Sequence, residues 1–220
     1  MSQSVRFEGW HCSADAGYDR LMGKLLALSC LLFAACSSDD SVNSNEQARR
    51  AYLGLDKSVS KSLELGFKGY DAATSANIPP EMITGDAGGM LTITGKVDQG
   101  NPSQATMDLD VGMVKYTDGG VVVDNQNHTV SITYDTSTSA TMQPVLSLKL
   151  NASAGDTLTG TLMGDYVMSG DLKGTVTLDL TISGTFSGSG TNVQRVAGST
   201  TVTGTAVNSS GGMYQVNVKI

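Results

Sequence analysis

The feature that most restricts this chain is a two-residue hydrophobic period that begins near Met90 and runs to Ile220. Leu91, Ile93 and Val97 alternate with Thr92, Thr94 and Lys96, and Met107, Leu109, Val111 and Met113 alternate with Asp108, Asp110 and Gly112. Val130, Ile132 and Tyr134 follow, then Leu146, Leu148 and Leu150, then Leu158 and Leu162. The clearest run sets Val176, Leu178, Leu180, Ile182 and Phe186 against Thr175, Thr177, Asp179, Thr181 and Thr185, and the last is Tyr214, Val216, Val218 and Ile220. Successive side chains of a strand point to opposite faces, so each run predicts a strand with one buried and one wet face.

Turn signals separate the runs: Asp118-Gly119-Gly120, Asn125 to Asn127, Gly155-Asp156, Gly164-Asp165, Gly170-Asp171, Gly188-Ser189-Gly190 and Ser209 to Gly212. Short turns between such strands make antiparallel hairpins. The expected fold is mainly β: a single antiparallel meander of about 8–10 strands over 81–220. Gly95, Gly160, Gly184 and Gly204 fall on the apolar side of the alternation. An inward glycine lets a sheet bend or a neighbour come close, which favours a strongly curved or barrel-like sheet. The gaps between these glycines are irregular, unlike the fixed period of a solenoid.

Ahead of the strands the period changes. Tyr52, Leu55, Val59, Leu63 and Phe67 recur at three- and four-residue steps, which predicts one N-terminal amphipathic helix within 46–80, with Asn45 as a plausible N-cap. Asn77-Ile78-Pro79-Pro80 is expected to end that segment. The helix would cover the apolar concave face of the sheet. If it leaves space, a lipid-sized cavity results.

The leader reads Lys24, then an apolar stretch from Leu25 to Phe33, then Ala34 and Ala35 before Cys36. That is a signal-peptide layout, and the stretch is too short to span a bilayer as a helix. Leu32-Phe33-Ala34-Ala35-Cys36 resembles the lipobox of bacterial lipoproteins, departing at Phe33, where leucine is usual. The resemblance covers only the leader. It implies cleavage before Cys36, diacylglycerol on the Cys36 sulfur and acylation of its new amino group, an attachment of several chains that holds far better than one. Residues 22–35 are then the signal peptide and 36–45 a lipidated tether. The polar residues 1–21, carrying Glu8, Asp15 and Asp19, read as a start-site extension ahead of Met22. By the enteric sorting rule, Ser37 rather than Asp after the cysteine implies the outer membrane. Asp39-Asp40 resembles acidic surface-export tethers of other bacteria, which leaves the face of that membrane open.

Of the three cysteines, Cys12 and Cys30 precede the cleavage site, so Cys36 serves attachment rather than disulfide or thiolate-metal chemistry. His128 is the one histidine of the mature chain, and triads or zinc sites built on histidine or cysteine lack parts. Asp108 and Asp110 share a polar strand face and could meet a hard cation with Asp118 or Asp124, but no loop has calcium-site spacing. A solvated strand face is the simpler reading. Thr92 and Thr94, Thr175 and Thr177, and Thr201 and Thr203 form Thr-x-Thr pairs, which β-propensity explains. Their irregular spacing argues against a flat array of the ice-binding kind. A net charge of −7 disfavours nucleic acid or anionic lipid as partner. The polar second face and scarce aromatics disfavour a membrane-spanning barrel.

The expectation is therefore a non-enzymatic envelope lipoprotein without metal or cofactor, binding an apolar or lipid-like ligand in the sheet's concavity. The alternative is a structural or surface-interaction protein whose Thr-rich sheet contacts glycan or a protein partner.

Overall fold

A computed structural model describes residues 41–72, 75–98, 104–151, 156–188 and 192–220. The expected signal peptide, the lipobox-like segment with Cys36, the extension expected before Met22 and the first part of the expected tether lie outside the described residues. Two helices, α1 (Asn45–Leu53) and α2 (Asp56–Ala72), precede the strands. Then come β1 (Asn77–Thr84), β2 (Gly88–Asp98), β3 (Gln104–Thr117), β4 (Gly120–Val122), β5 (Thr129–Asp135), β6 (Val145–Asn151) and β7 (Thr157–Gly170). The chain continues through β8 (Gly174–Ser187), β9 (Gln194–Arg195), β10 (Thr201–Asn208) and β11 (Met213–Lys219).

All eleven strands belong to one sheet, ordered β1-β2-β3-β5-β7-β8-β10-β11. Every ladder is antiparallel, as hairpin connections require. β5 and β6 share one place between β3 and β7, β4 extends the pairing of β5, and β9 adds to β8. The sheet bends into a partly closed ring. Among the described residues no ladder joins β1 to β11; α2 packs on β1 and α1 on β11.

The count exceeds the expected 8–10 because β4 and β9 have three and two residues, too short to show a period. β1 was missed for a different reason. It contains Pro79-Pro80, placed from sequence at the end of the helical segment. Proline cannot donate to a ladder, but an edge strand is bonded on one side only, and the register of β1 on β2 shifts between Ile78 and Glu81, across the two prolines.

The apolar alternation faces inward. Leu91, Ile93, Leu109, Leu178, Leu180, Ile182 and Val202 are fully buried, and Tyr52, Leu55, Val59, Leu63 and Phe67 of the helical segment join the same core. Inward Gly204 shows how the sheet bends. It has φ +148° and pairs with Leu180 and Val216, and a Cβ there would collide with the Asp179 carbonyl oxygen.

The expected single helix is broken, and the break has a visible cause. A continuous helix would bond the Leu55 N–H to the Ala51 carbonyl. Instead the Tyr134 hydroxyl donates to Ala51 O at 2.7 Å, and Leu55 N turns to Tyr52 O at 2.8 Å. Gly54 leaves room for that hydroxyl, since a Cβ on Gly54 would strike Tyr134 Oη. The helix start also differs. Ser44 is the N-cap, accepting from Gln47 N at 3.2 Å, and Asn45 Oδ1 accepts from Gln215 N of β11 at 2.8 Å.

Replacing Tyr134 with Phe strands a buried carbonyl and should cost about 1–2 kcal/mol in urea unfolding. Gly54→Ala should cost about 2–3 kcal/mol, as overpacking does. The double variant should lose less than the sum, because removing the hydroxyl makes room for the methyl. Additive losses would show that the two groups do not meet.

Candidate functional site

Two ion-pair clusters fasten the helices to the sheet, and both were missed from sequence. In the first, Lys61 of α2 reaches Asp118 at 2.6 Å and Asp86 at 2.7 Å. The Asp118 carboxylate has no exposed surface; it accepts from Tyr116 Oη at 2.6 Å and from Asp86 N at 3.0 Å. Burial works to lower the Lys61 pKa, but hydrogen bonds to Asp118 and Asp86 outweigh it and hold the ammonium above its ordinary value. In the second, Arg195 of β9 donates to Ser60 Oγ at 2.6 and 3.0 Å and to Asp56 O at 2.9 Å. Its Nη1 lies 2.8 Å from Asp56 Oδ1 yet makes no well-directed hydrogen bond. Tyr52 Oη completes the group on Asp56 Oδ1 at 2.9 Å. In the first cluster Lys61, Asp118 and Tyr116 partner one another, while in the second the buried Arg195 Nη1 is left without a hydrogen bond; both clusters tie α2 to the sheet.

The residues weighed from sequence for chemistry do not converge. His128 is exposed and pairs through Nδ1 with Asp124 Oδ2 at 2.6 Å, four residues away in the same loop. Asp108 and Asp110 stay on the outer face of β3, opposite Lys96 and Thr94 of β2. Asp118 is committed to Lys61 and Asp124 to His128, so neither joins them. Among the described residues no group of three or more His, Cys, Asp or Glu is placed to hold a metal ion.

What the structure does assemble is a polar outer face. Cross-strand register sets Asp108, Ser147, Thr161, Thr181, Thr203 and Asn217 side by side across β3, β6, β7, β8, β10 and β11. A parallel row runs Thr106, Lys149, Thr159, Ser183, Thr201 and Lys219. Neighbouring strands lie ~4.8 Å apart, so the hydroxyls recur at about that interval. Irregular spacing in the sequence does not keep the threonines apart, because register and not chain position aligns them. The members of the two rows on β3, β6, β7 and β8 line a shallow, open groove of about 440 Å³.

A second assembly lies at the start of the described chain. Ser37 to Asn45 was expected to be a flexible tether throughout, but its last residues are seated. Val42 is 1% exposed, and its carbonyl accepts from Asn208 Nδ2 at 2.8 Å. Ser41 lies beside Gly174, at the start of β8. The place of Cys36 itself lies outside the described residues. No helix of the described residues is long and apolar enough to cross a membrane.

Against known proteins the chain has no match to a family model, to a curated protein or to a solved structure.

Two measurements check the fastenings. Lys61→Met should lose about 3 kcal/mol of stability, since it leaves a buried carboxylate without its cation. Adding Asp118→Asn should recover part of that loss, and no recovery would show the pair is uncoupled. Burial raises the pKa of Tyr52, Tyr116, Tyr134 and Tyr166. Their folded values exceed the unfolded one, so this contribution is complete below about pH 10 and is lost as pH rises above it. Stability should therefore fall steeply above about pH 10. Tyrosinate absorbance from these four should appear together with unfolding; ionisation in the folded state would contradict their burial.

Proposed function

We propose that the protein is a non-enzymatic envelope lipoprotein, anchored by lipid on Cys36 in the outer membrane, whose outer β face binds a hydroxylated polymer such as a glycan. The leader supports the anchor: a short basic start, an apolar stretch, two small residues and the cysteine. On this reading the membrane is a partner through lipid, Cys36 is the attachment residue and no cofactor takes part.

The observation that carries the binding reading is the pair of aligned rows on the outer face. Thr181 and Thr203 are exposed on β8 and β10, and farther along the two rows Asp108 of β3 and Lys149 of β6 add an acceptor and a donor. Hydroxyl, carboxylate and ammonium groups at strand spacing offer hydrogen bonds to sugar hydroxyls without apolar burial. The inner face weighs against carriage of an apolar ligand. We read the sheet as strongly curved and barrel-like, with the helical segment as its amphipathic filling. The side chains a lipid would touch are then engaged with Tyr52, Leu55, Val59 and Leu63.

The test uses the mature chain with Thr161→Lys and Thr181→Lys, both on the outer face and away from the core. Pull-down on purified envelope glycans should fall at least tenfold, roughly 1.4 kcal/mol, with circular dichroism unchanged. Unaltered binding would remove the outer-face reading. Native mass spectrometry of the same protein should show the mass of the chain and its anchor alone. Additional lipid retained by the folded domain would return the function to the concave face.

A further inference from the structure

The seated end of the tether bears on how the domain meets the membrane. It is held from several sides. Val42 is buried and its carbonyl is bonded by Asn208, the last residue of β10. Asn208 also organises the β10–β11 turn, where its Oδ1 accepts from Ser210 N at 3.1 Å and Gly212 N at 2.8 Å. Three residues on, the side chain of Asn45 accepts the Gln215 N–H of β11. Ser41 abuts Gly174, where the β7–β8 turn enters β8. The chain therefore leaves the domain between two hairpin turns, and it leaves from a fixed point.

Only residues 37–41 separate that point from Cys36. The six steps from Val42 to Cys36, at most about 3.6 Å each, reach no farther than ~22 Å. β8 starts beside Ser41 and has 14 residues. At ~3.4 Å per residue its far end, Ser187, lies up to about 45 Å along the strand from the tether. The two hairpins beside the tether also carry exposed apolar side chains. Met213, 65% exposed, pairs with Val207 at the head of the β10–β11 turn, and Val167, 51% exposed, pairs with Thr175 beside the β7–β8 turn. A large apolar side chain left in water beside a membrane attachment point gains from entering the lipid interface.

We infer that the β7–β8 and β10–β11 turns, with Met213 and Val167, form the membrane-facing edge of the domain, its occupant being the lipid surface to which Cys36 is attached. This rests on the anchor reading of Cys36. The far ends of β7 and β8 then point away from the bilayer, and the second row of the polar groove, with Thr159 and Ser183, lies toward that outer end.

The experiment reconstitutes the full mature lipoprotein in vesicles of phosphatidylethanolamine and phosphatidylglycerol containing a headgroup-linked quencher. A fluorophore is attached to Ser209→Cys, in the β10–β11 turn, or to Ser187→Cys, at the far end of β8; both positions are exposed. The Ser209 label should be quenched several-fold more than the Ser187 label. Met213→Asp in the Ser209→Cys background should reduce that quenching while leaving the protein vesicle-bound. Equal quenching of the two labels, or the reverse order, overturns the inference with the anchor intact. Intact mass separates the two failures: a chain without acyl mass on Cys36, recovered off the vesicles, overturns the anchor reading and this inference with it.

Discussion

The contact between the Tyr134 hydroxyl and the Ala51 carbonyl is the point around which the domain is arranged. It lies where the two helices divide, deep under the sheet, and it takes an acceptor that a continuous helix would have used itself. Once Ala51 O is taken, the chain must turn at Gly54 and Leu55. α1 then lies along β11 and α2 along β1, the two edges that no ladder joins among the described residues. A straight helix of the same length would serve one edge and leave the other apolar margin wet. Tyr134 is itself held edge-on to Tyr166 at 6.1 Å and opposite Tyr116, so the hydroxyl is aimed by packing.

The two ion-pair clusters act on the same helix from different strands. Lys61 ties the second turn of α2 to Asp118, beyond the end of β3, while Arg195 of β9 holds the same part of the helix at Asp56 and Ser60. Burying such groups is costly unless every partner is present, and here nearly all are. Their value is geometric. Asp86 and Asp118 on one side and Arg195 on another hold the first turns of α2 in directed contacts that hydrophobic packing does not supply.

How much could be read in advance follows the range of each interaction. The strand period and its buried face are local properties, and the inward run from Leu91 to Val218 is buried as the alternation implies. The helical face from Tyr52 to Phe67 is likewise buried, but its break depends on Tyr134, 83 residues from Ala51, and nothing local announces it. Gly54 and Gly66 are where Tyr134 and Leu109 come close to the helical segment, contacts equally remote in sequence. Lys61 and Asp118 are 57 residues apart, and their meeting follows from sheet curvature. The outer rows show the same limit in another form. Thr161, Thr181 and Thr203 are visible as strand threonines, but their alignment is a matter of register, which hairpin lengths and bulges decide.

The prolines of β1 bear on how many copies can share a surface. An open sheet edge exposes backbone donors that can recruit a second copy, and crowding on a membrane would favour such end-to-end pairing. Pro79 and Pro80 carry no N–H, and because successive residues of a strand point to opposite sides the pair thins the donors of β1, while the shift between Ile78 and Glu81 disturbs the spacing of the others. On the opposite margin the side chain of Asn45 occupies the N–H of Gln215. Each margin is thus made a poor template for the other, and copies held at high density would remain separate instead of growing into a continuous sheet.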